Sequence, residues 1–215
     1  MCTPCDAPGL IESINERFDS AIEFMLPNTF VFGTALRNLI AGTDPGDTLT
    51  ILTCHSDHKL MWQAFEASSK WVTRRNNDAL VFVNMYGLKV LLVKVAKPDI
   101  NAYSVIDHSN NLRCNCMVMD HNGQVLEVVP GAYKDCQDKA IYLASEFTSS
   151  NSMSLERYVH ILTQDGWSNH ISRKYLTRKS SHGKVPVRKG VNAKGSTSSA
   201  LHEAIMSAQQ TEPIF

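Results

Sequence analysis

A chain of 215 residues, 43% hydrophobic and 20% charged, holds enough apolar material for a buried core and is too mixed to be disordered along its whole length. Its 21 Lys and Arg balance 21 Asp and Glu, and its longest apolar stretch, 90–96, is broken by Lys94, far short of the roughly 20 residues that a bilayer span needs. Residues 1–9 carry an acid and prolines in place of a basic start and an apolar block, so a soluble, cytoplasmic protein with no membrane partner is expected.

Leu10, Ile11, Ile14, Phe18, Ile22 and Met25 recur at spacings of three and four, which predicts an amphipathic helix over 8–26 that Pro27-Asn28 ends. Residues 29–32 read as a short β-branched and aromatic strand closed by Gly33, and 35–41 as a short helix stopped by Gly42. A turn-rich loop over 42–47 leads to a strand over 48–53 and a helix over 57–72. After a polar turn at 74–78, two hairpins are expected. One pairs 79–84 with 88–96, and the other pairs 113–119 with 124–129 around Asp120-His121-Asn122-Gly123. Asn-Gly between apolar runs is a strong hairpin signal. Helices follow over 135–145 and 155–164, separated by a polar break at 149–154. The Gly/Ser/Lys-rich segment 180–199 reads as mobile until bound, and 202–209 as a short terminal helix. The order α-β-α-β-α-β-β-β-β-α-α predicts an α+β domain with a mixed sheet.

The balanced charge conceals an asymmetry. Residues 1–165 hold 13 basic and 19 acidic side chains, a net of −6, whereas 166–215 hold eight basic and two acidic, a net of +6. The eight are Arg173, Lys174, Arg178, Lys179, Lys184, Arg188, Lys189 and Lys194. They are the candidate RNA-binding residues of an arm for RNA or a ribonucleoprotein or protein assembly, with Trp167, His170 and Tyr175 in the same segment able to stack on bases, or else a solvated tail that folds back on the acidic body. Six cysteines form a CxxC at Cys2 and Cys5, a CxC at Cys114 and Cys116, and singles at Cys54 and Cys136. Structural zinc takes four ligands in closely spaced pairs, and these pairs lie over a hundred residues apart. With 114 and 116 on an expected strand, small buried hydrophobes are favoured over a metal site. Cys54, His55 and His58 fall where a strand passes into a helix and read as loop contacts or a cap.

The segment from Phe30 through Gly33-Thr34-Ala35-Leu36-Arg37-Asn38 to Gly42 resembles the opening strand-turn-helix of the tRNA nucleotidyltransferase and poly(A) polymerase head domain, where a small-residue turn precedes an Arg-Asp pair and a Leu-rich helix. Asn115-Cys116-Met117 through Asn122-Gly123 is similar to that family's Asn-Ala-Met hairpin, and 124–129, Gly131, Asp135 and Lys139-Ala140-Ile141 continue the likeness with one residue inserted. The likeness spans 26–143. It implies a nucleotidyltransferase-like mixed sheet flanked by helices over 1–147, a short helical extension over 148–179 and a basic tail over 180–215.

It also implies chemistry. In the family a glycine turn and the helix behind it meet a triphosphate, and three carboxylates on adjacent strands hold two Mg²⁺ ions for phosphoryl transfer. The matching nucleotide-binding candidates are Gly33, Thr34, Arg37, Asp47 and Arg113, with Arg37 read equally as a surface or capping contact. The family's Asp-x-Asp reads Asp47-Thr48-Leu49 here, so only Asp47 is left as a catalytic candidate. The hairpin that carries the third acid reads 89–93 without one, with Leu91 in the acid's place. One carboxylate does not hold two mutually repelling divalent ions, and Asp44 and Asp107 are the nearest substitutes. Ser109-Asn110-Asn111 stand where the family has Arg-Arg-Asp, and Glu156-Arg157 with His160 where paired arginines read bases. The expectation is a catalytically degraded nucleotidyltransferase-fold protein that binds RNA, a nucleotide or a protein–RNA assembly. The alternatives are an active template-independent nucleotidyltransferase using Mg²⁺ at a displaced site, and a structural subunit docked by its basic arm.

Overall fold

In the computed structural model, which describes residues 3–5, 7, 9–76, 79–95, 111–144, 152–172 and 176, the strands are β1 (Thr3–Cys5), β2 (Thr29–Phe32), β3 (Thr48–Thr53), β4 (Trp71–Asn76), β5 (Ala79–Asn84), β6 (Lys89–Lys94), β7 (Met117–Met119), β8 (Val125–Glu127), β9 (Ala140–Ile141) and β10 (Ser168–Asn169). Between them run helices α1 (Leu10–Arg17), α2 (Thr34–Ile40), α3 (His55–Ala67), α4 (Ala132–Gln137) and α5 (Ser152–Gln164). Eight strands form one mixed sheet in the order β1-β8-β7-β2-β3-β6-β5-β4, and β10 pairs with β9 apart from it. β3 and β6 are parallel, and the other neighbours in the large sheet are antiparallel. This is the expected α+β architecture, a mixed sheet flanked by helices.

Alternation along each strand sorts the core into two clusters. Leu49 and Ile51 of β3 join Val31, Phe82, Val90 and Leu92 under Leu36, Met61 and Phe65 from the helices. Phe65 is the hub of that packing, with ring centroids 4.5 Å from Phe24, 4.5 Å from Phe82 and 5.7 Å from Trp71. On the opposite face Phe32, Leu52, Val81, Leu91, Val93, Val95 and Val118 form the second cluster. Full burial of one such side chain is worth about 1.5–3 kcal/mol, so both faces contribute to stability.

Several elements differ from the sequence-based expectation. α1 ends at Arg17, and Asp19 and Ser20 adopt left-handed φ of 51° and 59° before a 3-10 turn at Ala21–Phe24. The three-and-four spacing survives this break because Phe18, Ile22 and Met25 remain in the core on the far side of it. α3 stops at Ala67, where Ser68 turns extended, and the expected last helical turn and polar turn are the edge strand β4. Its period is two: Trp71 is buried, Val72 exposed, Thr73 half-buried and Arg74 exposed. The expected strand over 113–119 opens instead as a 3-10 turn, Arg113–Asn115, so Cys114 and Cys116 are not alternate residues of a strand. The expected helix over 135–145 is the shorter α4 followed by β9, divided at Lys139 with φ 49°. β1 and β10 were not anticipated. The tail and the expected helix over 202–209 lie outside the described residues.

α5 begins at Ser152 and lays Leu155, Val159 and Leu162 into the first cluster, followed by Trp167 and Ile171. The last described elements therefore complete the core of the first ones. Among the described residues, no helix is long and apolar enough to cross a membrane.

Candidate functional site

Because β2 is antiparallel to β3 and β3 is parallel to β6, the exit of β2 and the entries of β3 and β6 share one end of the sheet. Gly33 leaves β2 there with φ 87° and ψ −148°, a conformation that residues with a Cβ rarely adopt, and α2 starts at once. Nothing lies within 4 Å of where a Cβ would stand, so backbone conformation rather than space calls for glycine.

Thr34 and Arg37 project from α2 into a buried polar cluster. Arg37 is only 3% exposed. Its Nε and Nη2 donate to Asn38 Oδ1 at 3.0 and 2.7 Å, and Nη1 donates to Asn115 Oδ1 at 3.2 Å and to the Tyr158 hydroxyl at 2.8 Å. The same hydroxyl shares a 2.9 Å hydrogen bond with Thr34. The guanidinium carbon lies 5.5 Å from the Tyr158 ring centroid and 5.4 Å from that of Trp167. Burial works against the guanidinium charge, yet interactions led by that with Tyr158, which also accepts its hydrogen bond, more than offset it and hold Arg37 above its ordinary value. Burial pushes the Cys114 thiol up to about 12 and raises Cys136 as well, so both are protonated, inert packing groups at neutral pH.

Asp47, at the mouth of β3, is an exposed carboxylate that is already occupied. Its Oδ1 accepts from the Thr48 hydroxyl at 2.7 Å and its Oδ2 from Lys89 Nζ at 3.0 Å. Partial burial opposes its ionisation, but these two donors prevail and hold Asp47 below the usual carboxylate range. Two residues on, Leu49 is fully buried in hydrocarbon. The register pairs Leu49 with Val90, while Leu91 lies in the opposite cluster. Leu91 is therefore not the residue beside Leu49 on this face; Val90 is, and it too is apolar. Asp44 accepts from the Gly46 amide at 3.0 Å and reaches Arg17 at 3.8 Å, and Asp107 lies outside the described residues. Among the described residues, no three His, Cys, Asp or Glu side chains converge on a metal position. The donor set among the described residues does not fit two Mg²⁺ ions.

Arg113 turns away from this corner. It forms two hydrogen bonds of 2.6 and 2.7 Å with buried Asp135, the main reason its pKa is raised, and its guanidinium lies 4.5 Å from the Tyr142 ring centroid. Gly33, Thr34 and Arg37 are thus adjacent, Asp47 stands at the neighbouring strand, and Arg113 serves Asp135. Glu156, Arg157 and His160 lie exposed on α5, and the eight basic tail residues fall outside the described set. Sequence reasoning missed Tyr158 and Asn115. Only Tyr158 left a signal, lying beside Val159 on the face that Leu155 and Leu162 mark. Trp167, expected to stack on RNA bases, is instead 3% exposed and lies against Arg37, and Tyr175, expected to stack likewise, falls outside the described residues. The Cys54 and His58 contacts are local: Cys54 Sγ meets the Ser56 hydroxyl at 3.3 Å, and His58 Nδ1 meets the Thr53 hydroxyl at 2.9 Å.

The chain is similar to a CCA-adding enzyme in an apo form, with a TM-score of 0.63 at 14% identity over 80% of this chain and 45% of that one. It is similar to a CCA-adding enzyme in complex with ATP, with a TM-score of 0.62 at 15% identity over 82% and 46%. A third likeness, to the Thermotoga maritima CCA-adding enzyme complexed with tRNA, has a TM-score of 0.57 at 14% identity over 80% and 42%. The fold is the nucleotidyltransferase fold. The chain spans less than half the length of these enzymes, and no protein-family model and no curated protein matches it.

Within this nucleotidyltransferase fold, the state of Asp47 gives a modest expectation. Asp47→Asn should lower stability by less than about 1 kcal/mol, because the Asp47 side chain is 56% exposed and its pairing with Lys89 is screened by water. The sign follows from the lowered pKa. The contribution is present above the ordinary carboxylate value of about 4 and is lost as pH falls through the depressed folded value. Urea midpoints of both proteins at pH 7 and pH 3 check this, with the small difference confined to pH 7.

Proposed function

We propose that this is a catalytically degraded nucleotidyltransferase-fold protein that binds RNA or a nucleotide, alone or within a protein–RNA assembly. The observation that carries the reading is the neutralised mouth of β3. Lys89 holds the Asp47 carboxylate, and Leu49 and Val90 present hydrocarbon where divalent ions would need oxygen ligands. Retention of the fold without its ligand set fits binding better than turnover. Two of the similar enzymes are seen with tRNA and with ATP, and the net +6 of residues 166–215 supplies the charge that a phosphate backbone attracts. In this reading residues 180–215 form the RNA arm of a head over 1–147 and an extension over 148–179. RNA affinity through the arm would fall by about 0.7 log units per phosphate contact for each tenfold rise in salt.

The purified protein should incorporate no labelled ATP, CTP, GTP or UTP into an RNA primer with Mg²⁺ or Mn²⁺. Primer extension that disappears on Asp47→Ala would instead establish an active enzyme with a displaced metal site.

A further inference from the structure

We propose that His170, carried on Tyr142 and Arg113, is a stacking platform for one base of a single-stranded RNA. The proposal deepens the RNA-binding reading above and rests on it.

The platform is built by β9 and β10. Their parallel register places Ser168 beside Ala140 and Asn169 beside Ile141, so the next residues, Tyr142 and His170, emerge side by side. The His170 amide donates to the Ile141 carbonyl at 3.0 Å and continues the pairing. The two rings are nearly parallel, at 6°, with centroids 4.7 Å apart. The Arg113 guanidinium also lies 4.5 Å from the Tyr142 ring centroid and is fixed by its two bonds to Asp135. His170 Nε2 also meets the Ser168 hydroxyl at 3.2 Å. Three flat groups are thus positioned by contacts within the chain, which lowers the ordering cost that binding must meet.

The outer member of the stack, His170, is exposed, whereas Trp167, three residues earlier, is 3% exposed and committed to Arg37. An exposed imidazole stacked on Tyr142 is the outermost described ring of this stack, and in the platform its other face is the one that meets a base. In sequence, His170 is followed at once by the acid-free run that holds eight Lys and Arg. An aromatic face beside such charge is what non-sequence-specific single-strand binding uses, because every base has a π-face and every nucleotide a phosphate. A purely structural role for the pair, closing β9 on β10, would account for the hydrogen bonds but not for an exposed ring at the root of a basic segment.

Two fluorescently labelled oligomers separate these accounts: a short mixed-sequence RNA and its abasic counterpart with the same phosphates. With the full chain, His170→Ala should weaken RNA binding about five- to a hundredfold, the range that base stacking supplies, and leave abasic binding unchanged. His170→Phe should restore RNA binding, since any flat ring serves. Equal RNA affinity of wild type and His170→Ala, or equal losses on both oligomers, overturns the platform alone. A wild-type chain that binds neither oligomer overturns the RNA reading and the platform with it.

Discussion

Alanine at position 37 should cost the fold about 2–5 kcal/mol, through the cavity and the lost hydrogen bonds, a large share of the 5–15 kcal/mol that holds most domains together. Arg37 is not a surface cation that happens to touch its neighbours. Two of its four hydrogen bonds tie α2 to the 3-10 turn before β7 and to α5, the other two hold Asn38 within α2, and its planar group lies near two aromatic rings. Truncation removes the Arg37 hydrogen bonds to Asn115, Asn38 and Tyr158 and opens a cavity beside Trp167, and each effect alone is worth about 1 kcal/mol or more. With a urea slope of about 2 kcal/mol per molar, the unfolding midpoint should drop by about 2 M. Arg37→Met should recover part of the loss, because it fills the space and removes a charge that has no carboxylate among its hydrogen-bond partners. A role confined to phosphate binding predicts the reverse: lower nucleotide affinity at an unchanged midpoint.

Leu49→Asp should be at least as damaging at neutral pH, although it restores the Asp-x-Asp spelling of the resembling family. The new carboxylate would sit in the cluster formed by Val31, Ile51, Val90 and Leu92, and an unpaired charge there costs several kcal/mol. Burial would raise its folded pKa above the unfolded value of about 4, so the penalty should grow as pH rises past 4 and fade toward lower pH. Melting curves at pH 4 and pH 7, with and without millimolar Mg²⁺, decide the matter. A purely apolar site predicts no rescue by the metal. Rescue at pH 7 would mean that Asp47 and residue 49 still face a usable cation position.

The strands β2, β3, β5 and β6 are legible in the sequence because each is a β-branched or aromatic run with turn residues at its ends. β4 is not, because Val72 continues the spacing of Met61, Phe65 and Ser68, while Arg74-Arg75-Asn76 looks like a turn. Only the pairing of Trp71 with Asn84 through Asn76 with Ala79 makes that segment a strand. A similar coincidence extends α4 on paper: Ala132, Cys136 and Ala140 fall at intervals of four, yet the left-handed turn at Lys139 separates the helix from β9.

The candidate site divides in the same way. Gly33, Thr34, Asp47 and Leu49 are found by local spelling. The position opposite Leu49 is not, because a parallel pair has no connecting turn to set its register, and a shift of one residue exchanges Val90 for Leu91 and one sheet face for the other. The partners of Arg37 are equally hidden, since Asn115 and Tyr158 arrive from 78 and 121 residues away. Nothing local announces an encounter of that kind.

β1 pairs with β8 through Thr3 with Glu127, Pro4 with Leu126 and Cys5 with Val125. Three residues thus secure one margin of the sheet by closing a loop of about 120 residues, and such closure carries an entropic cost that grows with the logarithm of its length. So short a ladder is the part of the sheet that forms late during folding and opens first in the native state. Each opening bares the backbone donors and acceptors along Val125–Glu127, which is the template that drives strand-to-strand association between molecules. β1 thus replaces the edge that β8 would present with one that carries Pro4, a residue with no amide N–H to offer another strand.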